Sequence, residues 1–154
     1  MKKHFSMAAI GMTAATLSLG VHAAERATAA EAVEMVNKAV ALIKSSGKET
    51  AFAAFADPAN KDFHDRDLYI YVYDFNGIAL THGNNPKMVG KNLLDLKDVD
   101  RKPIVKDMID VAKAPAGKGW VDFKWPNPVT KVIESKSGYV VRSDDILVGS
   151  GIYK

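Results

Sequence analysis

The chain has no cysteine, which excludes several kinds of chemistry at once. Without thiols there is no disulfide, no thiolate nucleophile and no cysteine-ligated metal, so the fold must depend on its hydrophobic core. Histidine is also scarce, with four in 154 residues. Only His64 and His82 follow the first 23 residues, and two imidazoles alone rarely make a metal site. We therefore expect neither a metal nor another cofactor.

The chain also lacks a strong excess of charge of either sign. Its formal net charge is +3, from 21 basic and 18 acidic residues. Residues 1–23 hold two of the basic residues and none of the acidic ones, so the remainder carries a formal charge of +1. Basic and acidic residues are interleaved there, without the concentrated positive face that binds nucleic acid. We expect no nucleic acid partner.

Residues 1–23 have the pattern of a secretory signal peptide. Lys2 and Lys3 precede an uncharged apolar run, and Val21-His22-Ala23 supplies the small residues that a cleavage site requires. We predict cleavage after Ala23 or one residue later. The alternative is an uncleaved membrane anchor, but the run is rich in small residues and shorter than the ~20 strongly apolar residues of a span. A soluble periplasmic protein with one domain, residues 24–154, is predicted.

The first half of that domain is predicted to begin with helices. Thr28-Ala29-Ala30-Glu31 has the form of a capping box, and apolar residues then recur at helical spacing as far as Ile43. Ser45-Ser46-Gly47 is predicted to end this helix, and a shorter one is predicted from Lys48 to Ala56.

The remainder predicts a sheet of about five strands, interrupted by one helix. Asn76-Gly77 is a hairpin turn signal between Leu68–Phe75 and Ile78–His82. Pro103 is predicted to start a helix that ends at Pro115 to Gly117. Further strands are predicted at Trp120–Trp125, Lys131–Glu134, Tyr139–Arg142 and Ile146–Tyr153. This order of elements indicates an α+β fold with one antiparallel sheet.

Six motifs occur in an order that resembles a known family. They are YVYDFNG, a histidine after the second strand, MVGKNLLDLKD, WPNP, SKSGYVV and a terminal GSGIY. Together they resemble the single Cache domain family, the extracytoplasmic sensor domains of bacterial chemoreceptors and sensor kinases, over roughly Ala27 to Tyr153. The resemblance implies a PAS-like sheet with a long N-terminal helix on one face and a small-ligand pocket on the other. Short carboxylic acids are a common ligand class in such domains.

Three departures from the family pattern affect what we expect. The sequence stops after GSGIYK, where receptor members continue into a membrane helix, so a stand-alone periplasmic form that signals through a membrane partner is expected. Asp98-Val99-Asp100-Arg101 stands where relatives often carry Asp-x-Asp-Gly, so this turn has lost its glycine. The segment Arg142 to Leu147 is shorter than in many relatives and lacks their tryptophan, which leaves the pocket shape near the last strand open.

Two basic residues are the first candidates for binding a carboxylate, which needs a cation or several donors beside an apolar wall. The resemblance places His82 at the family's strand-end histidine and Lys136 at the lysine before a strand tyrosine. From the sequence alone, the His82 ring could instead bond a loop backbone group, and Lys136 could be an exposed strand-end lysine.

Aromatic residues are the candidates for the rest of the pocket. Tyr69, Tyr71 and Tyr73 alternate with aliphatic residues and so share one strand face, which we predict to be the pocket face because a polar ligand offers buried hydroxyls a partner. The alternative is a core in which those hydroxyls bond backbone groups. Trp120 and Trp125 have opposite parity, so both can line one cavity only if a bulge or the end of the strand intervenes. Of the two, we favour Trp125, which lies in the WPNP motif, as the pocket residue. Tyr139 has the opposite parity to Lys136 and joins it only if Gly138 interrupts the strand.

Other polar motifs carry less weight. Gly90-Lys91 lacks the remainder of a phosphate loop and is interpreted as a turn. Acids at positions 95, 98, 100, 144 and 145 lack calcium-loop spacing and are interpreted as solvated turn acids.

Three functions follow from these observations. The first is a binding module for a small organic acid that signals through a membrane sensor kinase or chemoreceptor. The second is a ligand-free interaction protein that uses the first helix, which related receptors place at a dimer interface, so a homodimer is expected in that case. An enzyme is the weakest, because no nucleophile with a base, metal set or phosphate loop can be assembled.

Overall fold

A computed structural model describes residues 25–154, so the predicted signal peptide lies outside the described residues. The chain runs through helix α1 (Ala29–Ala56) and then β1 (His64–Asp65), β2 (Leu68–Tyr69), β3 (Tyr71–Asp74), β4 (Ala79–His82) and a 3-10 turn (Pro86–Met88). Helix α2 (Val105–Lys113) and strands β5 (Lys118–Pro126), β6 (Ile133–Ser143) and β7 (Ile146–Tyr153) complete it. Strands β1 and β2 form a small hairpin, and the others form a five-stranded antiparallel sheet in the order β4-β3-β7-β6-β5. The α+β fold with a PAS-like sheet is as the sequence predicts.

Helix α1 begins at the predicted capping box and bends where the sequence predicts a break. The Thr28 hydroxyl accepts from the Glu31 N–H at 3.3 Å, and the Glu31 carboxylate accepts from the Thr28 N–H at 2.7 Å. Gly47 has φ 81° and ψ 165°, a conformation that only glycine adopts readily. The two predicted helices therefore meet directly at Gly47 as one kinked helix.

The two faces of the sheet carry separate apolar cores. Helix α1 packs on the face that presents Ile70, Val72 and Val148. Helix α2 packs on the opposite face, against Val121, Val140 and Leu147. Because alternate residues of a strand point to opposite faces, this division fixes which strand residues can meet.

Two boundaries differ from the prediction. The segments predicted as separate strands on either side of Gly138 are one strand, β6, whose pairing with β5 and β7 is continuous. Pro103 lies in an isolated bridge with Lys97, and α2 begins two residues later. The missing N–H of Pro103 therefore suits the end of a loop rather than the first helical turn.

The predicted hairpin between β3 and β4 is present, with a wider turn than the two-residue type. The Gly77 N–H donates to the Asp74 carbonyl at 3.1 Å, and the Asp74 N–H donates to the Ile78 carbonyl at 3.0 Å. The Asp74 carboxylate also accepts from the N–H groups of Asn76 and Ile78. The turn thus depends on Asp74 as well as on Asn76-Gly77.

Candidate functional site

The three alternating tyrosines lie on one face of the sheet, as their spacing predicts. Tyr69, Tyr71 and Tyr73 are 2 to 4% exposed and belong to the core on the α2 side. Their rings follow one another along the strands, with centroids 6.4 Å apart for the first pair and 5.6 Å for the second. Burial raises the pKa of each of these phenols, so all three are protonated at neutral pH.

Lys136 reaches this face from the middle of β6 and is 1% exposed. Its Nζ donates to the Tyr69 hydroxyl at 2.8 Å and to the Tyr153 hydroxyl at 3.3 Å. It also lies 4.0 Å from the ring centroid of Tyr69 and 4.7 Å from that of Tyr153, within cation–π range. The ammonium is therefore enclosed by hydroxyls and aromatic rings.

The charge of Lys136 has no partner of opposite charge at contact distance within residues 25–154. Burial lowers the pKa of Lys136 to about 7, and the carboxylate of Asp67 partly offsets this effect. Asp67 is itself buried, accepts from the Ala27 N–H at 3.1 Å, and leaves its other oxygen, Oδ2, without a hydrogen-bond partner among the described residues. A buried cation without a bound carboxylate is the central chemical feature of this site.

His82 lies at the end of β4, opposite Tyr71 in the adjacent strand. Its Nδ1 accepts from the Asn85 N–H at 3.1 Å, so the hydrogen of the neutral ring is on Nε2. Burial, assisted by the positive charge of Lys136, lowers the pKa of His82 to about 3. His82 is therefore a neutral imidazole with one N–H to donate, and its ring lies 5.2 Å from that of Tyr69 and 6.5 Å from that of Trp125.

A chain of hydrogen bonds connects the lysine to the end of β5. The Tyr153 hydroxyl donates to the Pro126 carbonyl at 2.7 Å, so the Tyr69 hydroxyl is the donor in its 3.4 Å contact with Tyr153. The hydrogen bonds thus form one directed series, in which each group donates to the next, from Lys136 through Tyr69 and Tyr153 to Pro126. Any anion that binds the Lys136 ammonium changes the first bond of this series.

Glycines on the neighbouring strands make room for the tyrosine rings. A Cβ on Gly138 would lie 2.5 Å from the Tyr71 hydroxyl, and one on Gly149 would overlap the ring of the same tyrosine. Side chains at these two positions would therefore expel Tyr71 from the sheet face.

A small cavity lies where these residues meet. Its lining is formed by Tyr69, Tyr71, His82, Ile104, Phe123, Trp125 and Lys136. Its volume of about 10 Å³ is that of roughly one water molecule, so a larger ligand requires the lining side chains to move outward.

The structure brings together six of the eight predicted site residues. Lys136, His82, Trp125 and the three tyrosines belong to the cluster of contacts described above. Their ligand-binding role stays a prediction.

Trp120 and Tyr139 lie elsewhere. Because the pairing of β6 is continuous through Gly138, the predicted interruption of the strand there is wrong and Tyr139 points to the α1 side. Trp120 pairs with it, with ring centroids 5.1 Å apart, and is 41% exposed.

Three residues of the site were missed. Tyr153 contacts Lys136, while Phe123 and Ile104 line the cavity. Phe123 has the parity of Trp125, a signal that could have indicated it. No pattern in the sequence specifies that Tyr153 lies directly opposite Lys136, because that depends on the register of β6 and β7.

A five-stranded antiparallel sheet with helices on both faces is the architecture of PAS-like sensor domains. A comparison with family profiles matches residues 23–154 to Single Cache domain 2. The chain belongs to this family, as its motifs suggested. It is a sensory ligand-binding family rather than a catalytic one, and its extracytoplasmic domains occur in chemoreceptors and sensor kinases.

Two curated proteins show where such a domain occurs. The sensor histidine kinase MctS of Rhizobium johnstonii is 32% identical over 132 residues, which cover 80% of this chain. The methyl-accepting chemotaxis protein McpP of Pseudomonas putida is 26% identical over 92 residues, or 58% of this chain. The matched regions make up 28% and 17% of these relatives, so the chain spans less than a third of either.

Solved structures agree with the fold. A methyl-accepting chemotaxis protein from Vibrio parahaemolyticus has a TM-score of 0.70 and 28% identity, covering 80% of this chain and 86% of its own. The periplasmic sensor domain of a chemotaxis protein has a TM-score of 0.64 and 25% identity, and the match covers 79% of this chain and 86% of that domain. A Cache chemosensory domain described for carboxylic acid recognition has a TM-score of 0.62 and 21% identity, and the match covers 78% of this chain and 84% of that domain. At this identity the likeness supports the fold alone.

Neither helix within residues 25–154 combines the length and apolar character required to cross a bilayer.

Proposed function

We propose that this chain is a periplasmic sensor module that binds a short carboxylate and passes the bound state to a membrane sensor kinase or chemoreceptor. The observation that carries the proposal is the Lys136 ammonium, which is buried and has no carboxylate within ion-pair distance in residues 25–154. The Asp67 carboxylate offsets the burial of this charge only in part, and a ligand carboxylate in contact with the ammonium would supply the remaining stabilisation.

The neighbouring groups define how such a ligand is held. One carboxylate oxygen accepts from the Lys136 Nζ, and the other accepts from the His82 Nε2–H or a tyrosine hydroxyl. Phe123, Trp125 and Ile104 form the apolar wall for a short carbon tail. A single cation favours one carboxylate over two.

The relatives support the second half of the proposal. MctS is a sensor histidine kinase and McpP is a methyl-accepting chemotaxis protein, and both contain a region similar to this chain. A membrane protein of either class is therefore the proposed partner. The proposed role includes no catalysis.

A thermal-shift experiment tests the proposal. Acetate, propionate, lactate, pyruvate and succinate are added separately to the purified protein, and at least one monocarboxylate is expected to raise the melting temperature. A ligand at about one hundred times its Kd stabilises the folded state by about 2.7 kcal/mol.

Matched variants identify the residue responsible. Lys136→Met keeps the length of the side chain but removes the cation, and we expect it to abolish the shift. Lys131→Met removes an exposed lysine and should leave the shift unchanged. An equal shift in Lys136→Met and wild type would contradict the proposal.

The small cavity favours a second candidate, an interaction protein without a ligand. Its volume of about 10 Å³ is too small for even a short acid unless the site opens. In that case none of the acids changes the melting temperature, and crosslinking through exposed positions of α1, such as Asn37, recovers a partner or a homodimer.

A further inference from the structure

The two edges of the main sheet are protected differently. At the β4 edge, the Ala79 N–H donates to the Lys91 carbonyl at 3.0 Å, and the Ala79 carbonyl accepts from the Gly90 N–H at 2.8 Å. The segment after the 3-10 turn therefore covers the beginning of that edge. Such covering is one of the ways in which proteins prevent exposed strands from pairing with other chains.

At the other edge, the backbone groups of alternate β5 residues point away from the sheet. The Gly117 carbonyl accepts from the Arg142 N–H of β6 at 2.7 Å, so the odd-numbered residues of β5 pair with β6. The N–H and carbonyl groups of Lys118, Trp120, Asp122 and Lys124 consequently face outward.

Only the second half of the β5 edge is covered. The Lys124 N–H donates to the Asp98 carboxylate at 2.9 Å, and the Asp122 carbonyl accepts from the Lys102 ammonium. No hydrogen bond within residues 25–154 reaches the N–H and carbonyl groups of Lys118 and Trp120 or the Asp122 N–H. These five groups form an open edge of one short strand.

The surroundings of this open edge leave room for another strand. A groove of about 480 Å³ lies beside it, lined by Trp120 to Asp122 of β5, by Lys102, and by Asp107, Asp110 and Val111 of α2. The Trp120 side chain rests on Tyr139 on the α1 side of the sheet and is 41% exposed. A large aromatic beside unpaired backbone groups is an arrangement that favours strand addition.

We propose that the open edge, Lys118 to Asp122, pairs with the same edge of a second copy of this chain about a two-fold axis through Trp120. In that antiparallel register each Trp120 lies opposite the Trp120 of the other copy. The Trp120 N–H and carbonyl groups bond reciprocally. Across the axis, the Lys118 carbonyl accepts from the Asp122 N–H, and the Lys118 N–H donates to the Asp122 carbonyl, which also accepts from Lys102. All five free groups are then satisfied.

The side chains are complementary in the same register. Lys118, Trp120 and Asp122 share one face of β5, so each lysine lies opposite an aspartate and the two indoles are adjacent. Opposite charges and aromatic pairs directly across antiparallel strands are stabilising. Lys118 has no ion-pair partner in residues 25–154, while the Asp122 carboxylate contacts the Ser137 hydroxyl and the Lys154 ammonium, the latter at 3.1 Å.

Charge reversal tests this interface and distinguishes it from a dimer through α1. Sedimentation velocity over a range of concentrations is expected to show a monomer–dimer equilibrium for the wild type. Lys118→Asp and Asp122→Lys each place two like-charge pairs across the axis, so each should weaken dimerisation at least tenfold. The double variant recreates both opposite-charge pairs in reverse and should restore the dimer.

Two controls keep the outcome interpretable. Lys131→Asp makes the same charge change on an exposed loop and should dimerise like the wild type, and circular dichroism checks that every variant is folded. A wild type that is monomeric at all concentrations would overturn the proposal. It would also be overturned if the single reversals left the dimer dissociation constant unchanged, or if the double variant did not restore dimerisation.

Discussion

At the residue scale, Lys136 and His82 differ in charge although they share one small site. Both are buried, but the Lys136 Nζ keeps two hydroxyl partners and a nearby carboxylate, whereas the His82 ring lies beside a cation. Burial lowers the pKa of Lys136 to about 7 and that of His82 to about 3. Near neutral pH, only Lys136 changes charge in this part of the molecule.

The first prediction concerns the pH dependence of carboxylate binding. A carboxylate binds the charged lysine, so its Kd should be nearly constant below the Lys136 pKa of about 7 and rise almost tenfold per pH unit above it. His82 should add no inflection above about pH 4, since its pKa is about 3. Isothermal titration calorimetry from mildly acidic to alkaline pH measures this. An affinity that is independent of pH across neutrality would rule out Lys136 as the binding cation.

At the element scale, the Asp98 carboxylate is one of three contacts that hold the segment between the 3-10 turn and α2 to β5, beside the bond of Lys102 to the Asp122 carbonyl and the ion pair of Asp100 with Lys124. Asp98 accepts from the N–H groups of Asp100, Lys102 and Lys124, at 2.9, 3.0 and 2.9 Å. Three donors to one carboxylate lower the pKa of Asp98 against the opposing effect of burial, which is the largest single influence. The turn that departs from the family pattern therefore fastens this segment to β5, and Ile104, six residues further along, lines the cavity.

The second prediction concerns the glycine that this turn has lost. Arg101 has φ 66°, a left-handed conformation that costs about 1–2 kcal/mol for a residue with a Cβ. Arg101→Gly should raise the free energy of unfolding by about 0.5–1 kcal/mol, since glycine also loses more entropy on folding. Urea unfolding measures the difference.

Val99→Gly is the matched control, because Val99 is 60% exposed in the same turn but has no positive φ. It should lower the free energy of unfolding. If Arg101→Gly were equally destabilising, the positive φ of Arg101 would not be what reduces the stability of this turn.

At the scale of the whole molecule, the site is connected to α1 through the small hairpin. The Asp67 carboxylate, which acts on the charge of Lys136, accepts from the Ala27 N–H immediately before the helix cap. Arg66, next to it, pairs with the Glu31 carboxylate at 2.6 Å in the first turn of α1. An anion that neutralises Lys136 therefore changes the electrostatic environment of a group bonded to the start of this helix.

The third prediction concerns global stability as a function of pH. The Lys136 pKa is about 7 in the folded state and 10.5 ordinarily, so the unfolded chain binds more protons between these values and stability rises with pH there. From about pH 7 to about pH 9 the gain is about 2 kcal/mol. Above about pH 10 stability should fall, because unfolded tyrosines ionise while burial raises the pKa of the folded ones.

Urea unfolding of the wild type and Lys136→Met at these two pH values isolates the effect. The variant lacks the titrating group, so the gain between about pH 7 and about pH 9 should disappear. At about pH 7 the variant should be as stable as the wild type or more so, because an apolar side chain of similar length replaces a buried charge. A gain that persists in Lys136→Met would assign the pH dependence to other groups.

The sequence by itself determined the features that depend on local chemistry and spacing. The capping box at Thr28 and Glu31, the break at Gly47 and the shared face of Tyr69, Tyr71 and Tyr73 all follow from neighbouring residues, because helix caps, turns and strand parity are local properties. The order of six motifs was also enough to indicate the family. Strand parity likewise separated Trp125 from Trp120.

Only the tertiary structure decided which distant residues meet. The continuity of β6 through Gly138 turned Tyr139 away from Lys136, and the register of β6 with β7 placed Tyr153 opposite it. Register between strands depends on the packing of both sheet faces and not on either strand alone, and a shift of one residue would exchange the faces. For the same reason, the covering of one half of β5 and the exposure of the other could not be inferred from the sequence.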